Sequence, residues 1–309
     1  MKAPLFYSKI LLFGEYGIIS DSKGLSIPYN FFKGGFRLGN LSNDEVKKSN
    51  KNLRLFKDFI SKINKNIVVF DLKKMNDDLT KGMYFDSTIP QGYGVGSSGA
   101  LVAAIYDRYA QNKITILENL TKDKTLVLKN IFSEMESFFH GKSSGLDPLN
   151  SYLSLPILIH SKNKVETIGI PSQSFNGKGA VFLLDSGESS ETAPMIEIFF
   201  ESMKNKEYSK IFKEDFILAT DNCVEDFLKA DFKSLFSNIK KLSKVVLENF
   251  KPMIPKDFHN IWAKGLESND YFLKLCGSGG GGYILGFSQD FEKAKIALSD
   301  YKLEVVYNF

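Results

Sequence analysis

Pro90-Gln91-Gly92-Tyr93-Gly94-Val95-Gly96-Ser97-Ser98-Gly99-Ala100 is the stretch on which the fold turns. Glycines at 92, 94 and 96 let the backbone turn tightly and come close to a ligand. Ser97 and Ser98 then open a helix whose Leu101, Val102, Ile105 and Tyr109 face a core. Such a helix start offers unpaired N–H groups and the positive end of the dipole, the usual seat for a phosphate. The residues just before it, MYFDSTIP (83–90), read as a strand.

Two other phosphate loops fail on spacing. Gly94 to Gly99 satisfies G-x-G-x-x-G, but the acidic residue that a dinucleotide fold places about 20 positions on has no good match. Gly141-Lys142-Ser143 ends like a Walker loop, yet the glycine required at position 136 is Glu136.

Working outward, residues 8–19 (SKILLFGEYGII) read as strand, Gly-Glu turn and second strand. Residues 42–66 carry Leu53, Phe56, Phe59, Ile60 and Ile63 at helical spacing, with lysines on the solvated face. Ile131, Phe132, Met135, Phe138 and Phe139 make 124–139 an amphipathic helix that stops at His140-Gly141. The polar, turn-rich PSQSFNGKG near 171–180 precedes a new buried strand, and places a domain boundary at 175/176. Helical patterns fill 193–250. The end reads strand (271–276), glycine loop (277–282), strand (283–287), helix (290–300) and strand (303–308). Strands and helices mix in both halves, so the class is α+β or α/β.

Three further features can carry chemistry. In Glu136-Ser137-Phe138-Phe139-His140-Gly141-Lys142-Ser143-Ser144-Gly145-Leu146-Asp147, a helix carboxylate and a loop carboxylate can converge. One would bind Mg²⁺ and the other accept a proton. The plainer alternative is a solvated Glu136 and a turn-forming Asp147. In Lys274-Leu275-Cys276-Gly277-Ser278-Gly279-Gly280-Gly281-Gly282-Tyr283, five of the six residues from 277 to 282 are glycine. A hairpin needs one or two. The entropy lost in ordering such a run is most simply offset by contact with a ligand. Finally, Lys9 interrupts an apolar strand, where its charge either snorkels to the surface or stabilises a transferring phosphoryl group.

Composition excludes several classes. The 309 residues carry 40 basic and 36 acidic side chains, a net +4, and only Arg37, Arg54 and Arg108 are arginine. Bidentate readout of phosphate or base edges draws on arginine, so duplex-DNA recognition is a poor fit. Phosphate here is expected on lysine, metal ion and backbone amides. Cys223 and Cys276 lie far apart, giving neither a disulfide framework nor a zinc site. With three histidines there is little scope for a Ser-His-Asp triad, and His160 and His259 have no evident partners. No apolar run approaches the roughly 18 residues that span a bilayer. The expectation is a cytoplasmic protein with no membrane and no nucleic-acid partner.

Taken together, the motifs resemble the GHMP kinases, the superfamily of galactokinase, homoserine kinase, mevalonate kinase and phosphomevalonate kinase. Lys9-x4-Gly14-Glu15-Tyr16, Pro90-x3-Gly94-x-Gly96-Ser97-Ser98 and Gly277-Ser278-Gly279-Gly280-Gly281 match its three motifs in order, over nearly the whole chain. His140-Gly141-x2-Ser144-Gly145-Leu146-Asp147 is similar to the His-Gly-x-Pro-Ser-Gly-Ile/Val-Asp pattern of mevalonate kinases, whose proline falls on Ser143.

The resemblance implies a two-domain α+β fold: an N-terminal domain like ribosomal protein S5 (1–175) and a C-terminal ferredoxin-like domain (176–309). It implies ATP and Mg²⁺ as cofactors and a small-molecule alcohol as substrate, most closely mevalonate, with phosphomevalonate, a sugar or homoserine as alternatives. A homodimer stays open, as does a non-catalytic nucleotide-binding protein on the same fold. Gly92, Gly94, Gly96, Ser97, Ser98 and Gly99 would wrap the ATP phosphates. Gly277, Ser278, Gly279 and Gly280 would help close the site. Ser98 and Glu136 would hold Mg²⁺, with Ser97 as the alternative serine. Asp147 would accept the substrate hydroxyl's proton, and Lys9 would stabilise transition-state charge. Glu15, Tyr16, His140, Ser144 and Gly145 would face the substrate. Tyr16 departs from the histidine usual in mevalonate kinases and fits phosphomevalonate kinases, which sets the two substrates against each other. Gly99 and Ser278 each replace a usual alanine, and Ser8 a usual glycine.

Overall fold

A computed structural model describes residues 4–117, 120–174 and 176–309, with His140 described by its backbone alone. It is mixed α and β, with two antiparallel sheets. The chain forms two compact units: Met1–Lys9, Ile27–Pro90 and Gly96–Leu155 in the first, Ile10–Ser26, Gln91–Val95 and Pro156–Phe309 in the second. The last crossing lies at Leu155/Pro156, ahead of the turn-rich stretch around 171–180.

The first unit holds the start of β1 (Phe6–Phe13), most of β2 (Gly24–Leu38), α1 (Asp44–Ile60), α2 (Leu72–Thr80), β3 (Met83–Ser87), α3 (Ser97–Tyr109), α4 (Lys122–His140) and α5 (Leu146–Leu153). β2 and β3 pair antiparallel from Gly34↔Ser87 to Leu38↔Met83. Asn43 caps α1 by accepting from the amides of Glu45 and Val46, and Leu53, Phe56 and Ile60 are buried along one face. The expected helix over 124–139 begins slightly earlier, because the Thr121 hydroxyl accepts the Lys124 amide. It stops where expected, with Gly141 at φ 71°. Its Phe132 packs edge-on against Tyr106 of α3 and against Tyr152 of α5, at 5.1 and 5.5 Å between ring centres. This aromatic core fixes the three helices that carry the candidate site.

In the second unit, Gly24–Ser26 of β2 pairs with β4 (Ile157–Ser161), which pairs in turn with β5 (Lys164–Thr167). A four-stranded antiparallel sheet follows, built from β6 (Ala180–Asp185), β7 (Phe272–Leu275), β8 (Tyr283–Ser288) and β9 (Leu303–Asn308) in the order β7-β8-β6-β9. Helices α6 (Thr192–Met203), α7 (Lys206–Ile211), α8 (Ile217–Leu228), α9 (Phe232–Asn249), α10 (Phe258–Ser268) and α11 (Phe291–Ala297) complete it, with a π turn over Phe212–Phe216 between α7 and α8. The strands and helices expected beyond residue 180 are present.

One expected strand is not. After Glu15 the chain enters a 3₁₀ turn over Gly17–Ser20, with Gly17 N bonded to Glu15 O and Ile18 N to Gly14 O. Tyr16 at φ 60° turns the backbone out of the extended region, so the apolar residues that follow cannot continue a strand.

Candidate active site

Lys9 ends the first unit's share of β1, and its side chain is 5% exposed. It does not snorkel to the surface. Its Nζ lies 3.0 Å from Asp147 Oδ1, and its stem runs past Gly96, where an added Cβ would meet it at 3.0 Å. Asp147 sits in the first turn of α5, which starts at Gly145 (φ 71°) with no side-chain cap. The Ser143 and Ser144 hydroxyls accept the amides of Gly145 and Leu146, shaping the turn that delivers Asp147.

A second helix start stands beside this pair. Gly96 is the N-cap of α3, also without a side-chain cap, and the helical ladder begins with Ala100 N to Gly96 O at 3.1 Å. The amides of Ser97, Ser98 and Gly99 therefore lie ahead of the ladder, where an anion can take them. Gly99 serves packing. A Cβ there would sit 2.7 Å from the Asp147 carbonyl carbon and 2.8 Å from Pro148 N, so glycine lets α3 and α5 touch.

Glu136 is 3% exposed, not the solvated helix residue of the plainer reading. Ser98 Oγ donates to its Oε1 at 3.1 Å, and the Ser143 hydroxyl donates to Oε2. Burial first, and then the negative charge of Asp147, push its carboxyl up to about 8; the Ser143 and Ser98 hydrogen bonds and the Lys9 charge pull the other way. A buried carboxylate held in this balance is one that a cation would stabilise. The donors are all hard oxygens, which suits Mg²⁺. Among the described residues no three His, Cys, Asp or Glu side chains gather as a metal site.

Within the second unit, the two glycine stretches meet each other. A Cβ on Gly94 would lie 2.5 Å from Cys276 O, and the Tyr283 amide points at Tyr93 O. Gly92 O accepts from the Ser190 amide, Gly280 N donates to Met253 O at 2.6 Å, and Gly282 N to Glu188 O. Part of the glycine run at 277–282 is thus explained by backbone packing against neighbours rather than by a ligand. Gly279 and Gly277 also pack closely, against Met253 O and Gly94 Cα, yet among the described residues the amides of Gly277, Ser278 and Gly279 meet no acceptor.

Lys9, Gly96, Ser98, Gly99, Glu136, Gly145 and Asp147 come together in the first unit, with Ser97 half-buried at the helix start and Ser144 exposed beside the turn. Gly92, Gly94, Gly277, Ser278, Gly279 and Gly280 cluster in the second. Glu15 and Tyr16 belong to that second group. Glu15 is buried against Lys274 at 2.7 Å, and the Tyr16 hydroxyl donates to Ser278 O at 2.6 Å. The side chain of His140 lies outside the described residues. His160, expected to lack a partner, has its Nε2 2.6 Å from Glu166 Oε1 on the neighbouring strand. Pairing of β4 with β5 brings these residues together, which spacing alone does not reveal.

Two residues escape the sequence reading. Ser143 holds Glu136, and its signal was the polar residue standing where the related pattern has proline. Lys274 neutralises Glu15, and its signal was a lone lysine inside the apolar run Tyr271 to Cys276.

Residues 58–154 match the family model described as GHMP kinases N terminal domain. No curated protein matches the chain by sequence. Solved structures do match its fold. Mevalonate kinase of L. major in complex with R-mevalonate is similar at a TM-score of 0.64 and 15% identity, over 97% of this chain and 90% of that one. Mevalonate kinase of Methanococcus jannaschii is similar at 0.59 and 20% identity, over 100% and 98%. Phosphomevalonate kinase of Streptococcus pneumoniae, in complex with phosphomevalonate and AMPPNP, is similar at 0.63 and 13% identity, over 99% of each chain. Residues 58–154 thus match a GHMP kinase N-terminal domain, and over its whole length the chain is similar in fold to these solved kinases.

Proposed function

We propose that this chain is an ATP- and Mg²⁺-dependent kinase that phosphorylates the primary alcohol of mevalonate to 5-phosphomevalonate. The observation that carries this reading is the Lys9–Asp147 pair at 3.0 Å beside the uncapped start of α3. A protein that only binds nucleotide has no use for a buried lysine held on a carboxylate next to a phosphate seat.

In this mechanism an Asp147 carboxylate oxygen accepts the proton of the acceptor hydroxyl as the hydroxyl's own oxygen bonds to the γ-phosphorus. The bond from the γ-phosphorus to the bridging oxygen breaks, and ADP leaves with its electron pair. Lys9 places a fixed positive charge against the developing negative charge, so catalysis is by positioning and electrostatics with no covalent enzyme intermediate. The amides of Ser97, Ser98 and Gly99 hold phosphate oxygens, and the Gly92–Gly94 and Gly277–Gly280 stretches are assigned to the nucleotide. Glu136 and Ser98 would hold Mg²⁺, which neutralises phosphate charge when bound. Ser144, Gly145 and His140 are assigned to the acceptor alcohol. The two buried cysteines, neither of them in a disulfide, suit a reducing cytoplasmic setting, and no described helix is long and apolar enough to cross a membrane.

Phosphomevalonate kinase is the second reading, favoured by Tyr16 in the Gly14-Glu15-Tyr16 turn. The test is a substrate panel with coupled ADP detection: mevalonate, phosphomevalonate, homoserine and galactose, each with MgATP. ADP release that depends on mevalonate is expected. A folded, ATP-binding protein that phosphorylates none of the four refutes the proposal.

A further inference from the structure

The Gly14-Glu15-Tyr16 turn is fastened at one point to β7 and at another to the glycine loop that follows it. The Glu15 carboxylate lies 2.7 Å from Lys274 Nζ, with both side chains 4% exposed, and Lys274 also donates to Leu275 O at 2.7 Å. The Tyr16 hydroxyl reaches three residues further and donates to Ser278 O at 2.6 Å, inside the loop itself. The Tyr16 ring is wedged in place against Phe199 and Phe250, with ring centres at 4.6 and 6.0 Å. It does this from a left-handed backbone position (φ 60°), a conformation costly for a bulky residue and held only where surrounding contacts dictate it. The far side of the loop is tied by Gly280 N to Met253 O and Gly282 N to Glu188 O. Anchoring on both sides leaves Gly277, Ser278 and Gly279 between the ties, with the amides that among the described residues meet no acceptor.

From this we infer that Glu15 and Tyr16 are positioning residues for the nucleotide loop at Gly277–Gly282, setting affinity for a nucleoside triphosphate, and do not select the acceptor. A carbonyl held by a tyrosine hydroxyl fixes the peptide plane, and so aims the next amide. The inference rests on the assignment of this loop to the nucleotide. It changes the meaning of Tyr16: a tyrosine there is no argument between mevalonate and phosphomevalonate.

Tyr16→Phe removes the hydroxyl and leaves the ring and its packing. With the full chain, the KM for ATP and the Kd of a fluorescent ATP analogue should both rise about two- to tenfold, the range one hydrogen bond supports. The KM for the acceptor and the ranking of acceptors should stay within twofold, and Tyr16→His should preserve that ranking too. The inference is overturned if acceptor KM or ranking moves while nucleotide affinity does not. It is equally overturned if neither moves, or if both affinities and the melting temperature fall together, the mark of a merely structural role. Binding of the ATP analogue to the wild-type chain separates the two levels. No nucleotide binding refutes the kinase reading and this inference together, whereas binding without acceptor turnover leaves the Kd arm to decide here.

Discussion

Replacing Lys9 by methionine separates catalysis from folding. Methionine keeps an unbranched stem to lie past Gly96 and removes only the charge. Two unit charges 3.0 Å apart interact by about 5.5 kcal/mol at an effective dielectric of 20. Little of that reaches folding stability. Asp147 is 37% exposed, so water screens it, and burying Lys9 costs desolvation energy; the net worth of the pair is about 1 kcal/mol. A chain of this size then melts about 2–4 °C lower. The transition state feels more, because charge develops on the transferring phosphoryl group at a site where the Lys9 charge is already fixed and dry. Losing one such preorganised group costs about 10²- to 10³-fold in kcat, or roughly 3–4 kcal/mol. The assay is coupled ADP release at saturating MgATP and mevalonate, with a melting curve on the same sample. A variant that keeps more than a tenth of wild-type kcat with an unchanged melting temperature refutes the role given to Lys9.

Other consequences can be checked independently. In metal-free protein the Glu136 carboxyl holds its proton up to about 8, against 4.5 when unfolded, so stability present below 4.5 is lost as pH rises towards 8. The slope has a limit of about 1.4 kcal/mol per pH unit. Urea unfolding in EDTA should show it in wild type and a flatter slope in Glu136→Gln; identical slopes would exclude the effect. Gly145→Ala would place a Cβ 2.1 Å from Lys129 O and 2.6 Å from Ser133 N at φ +71°, both backbone atoms that cannot give way. A loss of about 3 kcal/mol or more is expected, seen as a melting temperature lower by about 6 °C or more, and a wild-type melting curve would contradict it. Burial pushes the Cys223 thiol up, and Cys276 is equally enclosed. A colourimetric disulfide reagent should titrate neither in the native protein and both in urea; one fast native thiol would count against this packing.

The elements with strong local signals were legible in the sequence. The amphipathic stripe of α4, its glycine stop, and the strand–glycine loop–helix sequence leading into α3 depend on near neighbours, and spacing displays near neighbours directly. Lys9, Ser98, Glu136 and Asp147 were also legible as candidates, but their chemical state was not. Whether Glu136 is solvated or buried depends on α5 and the Ser143 turn closing over it. A stripe of phenylalanines elsewhere on α4 does not report that. The same limit hid Lys274 and misread the turn after Glu15. A run of Gly-Ile-Ile looks like strand until one residue, Tyr16, takes a left-handed conformation to reach a loop at the other end of the chain. The glycine run at 277–282 taught the opposite lesson. Its density pointed to a ligand, yet close neighbours such as Met253 O, Glu188 O and Tyr93 already require several of its glycines.

The chain changes unit inside β1 and again inside β2, and this has a consequence for synthesis. Every residue of the first unit has been made once Leu155 is added, so its helices can collapse around Phe132 while the rest is still being translated. The second unit has no such head start. Ile10, Leu12 and Phe13 are made long before β8, yet Phe13 stacks on Phe287 of that strand, 5.5 Å away. These apolar side chains must wait, unpaired, for almost the entire chain. A stalled or truncated nascent chain would therefore display a sticky segment, and chaperone demand should track the completion of β8 rather than the end of the first unit.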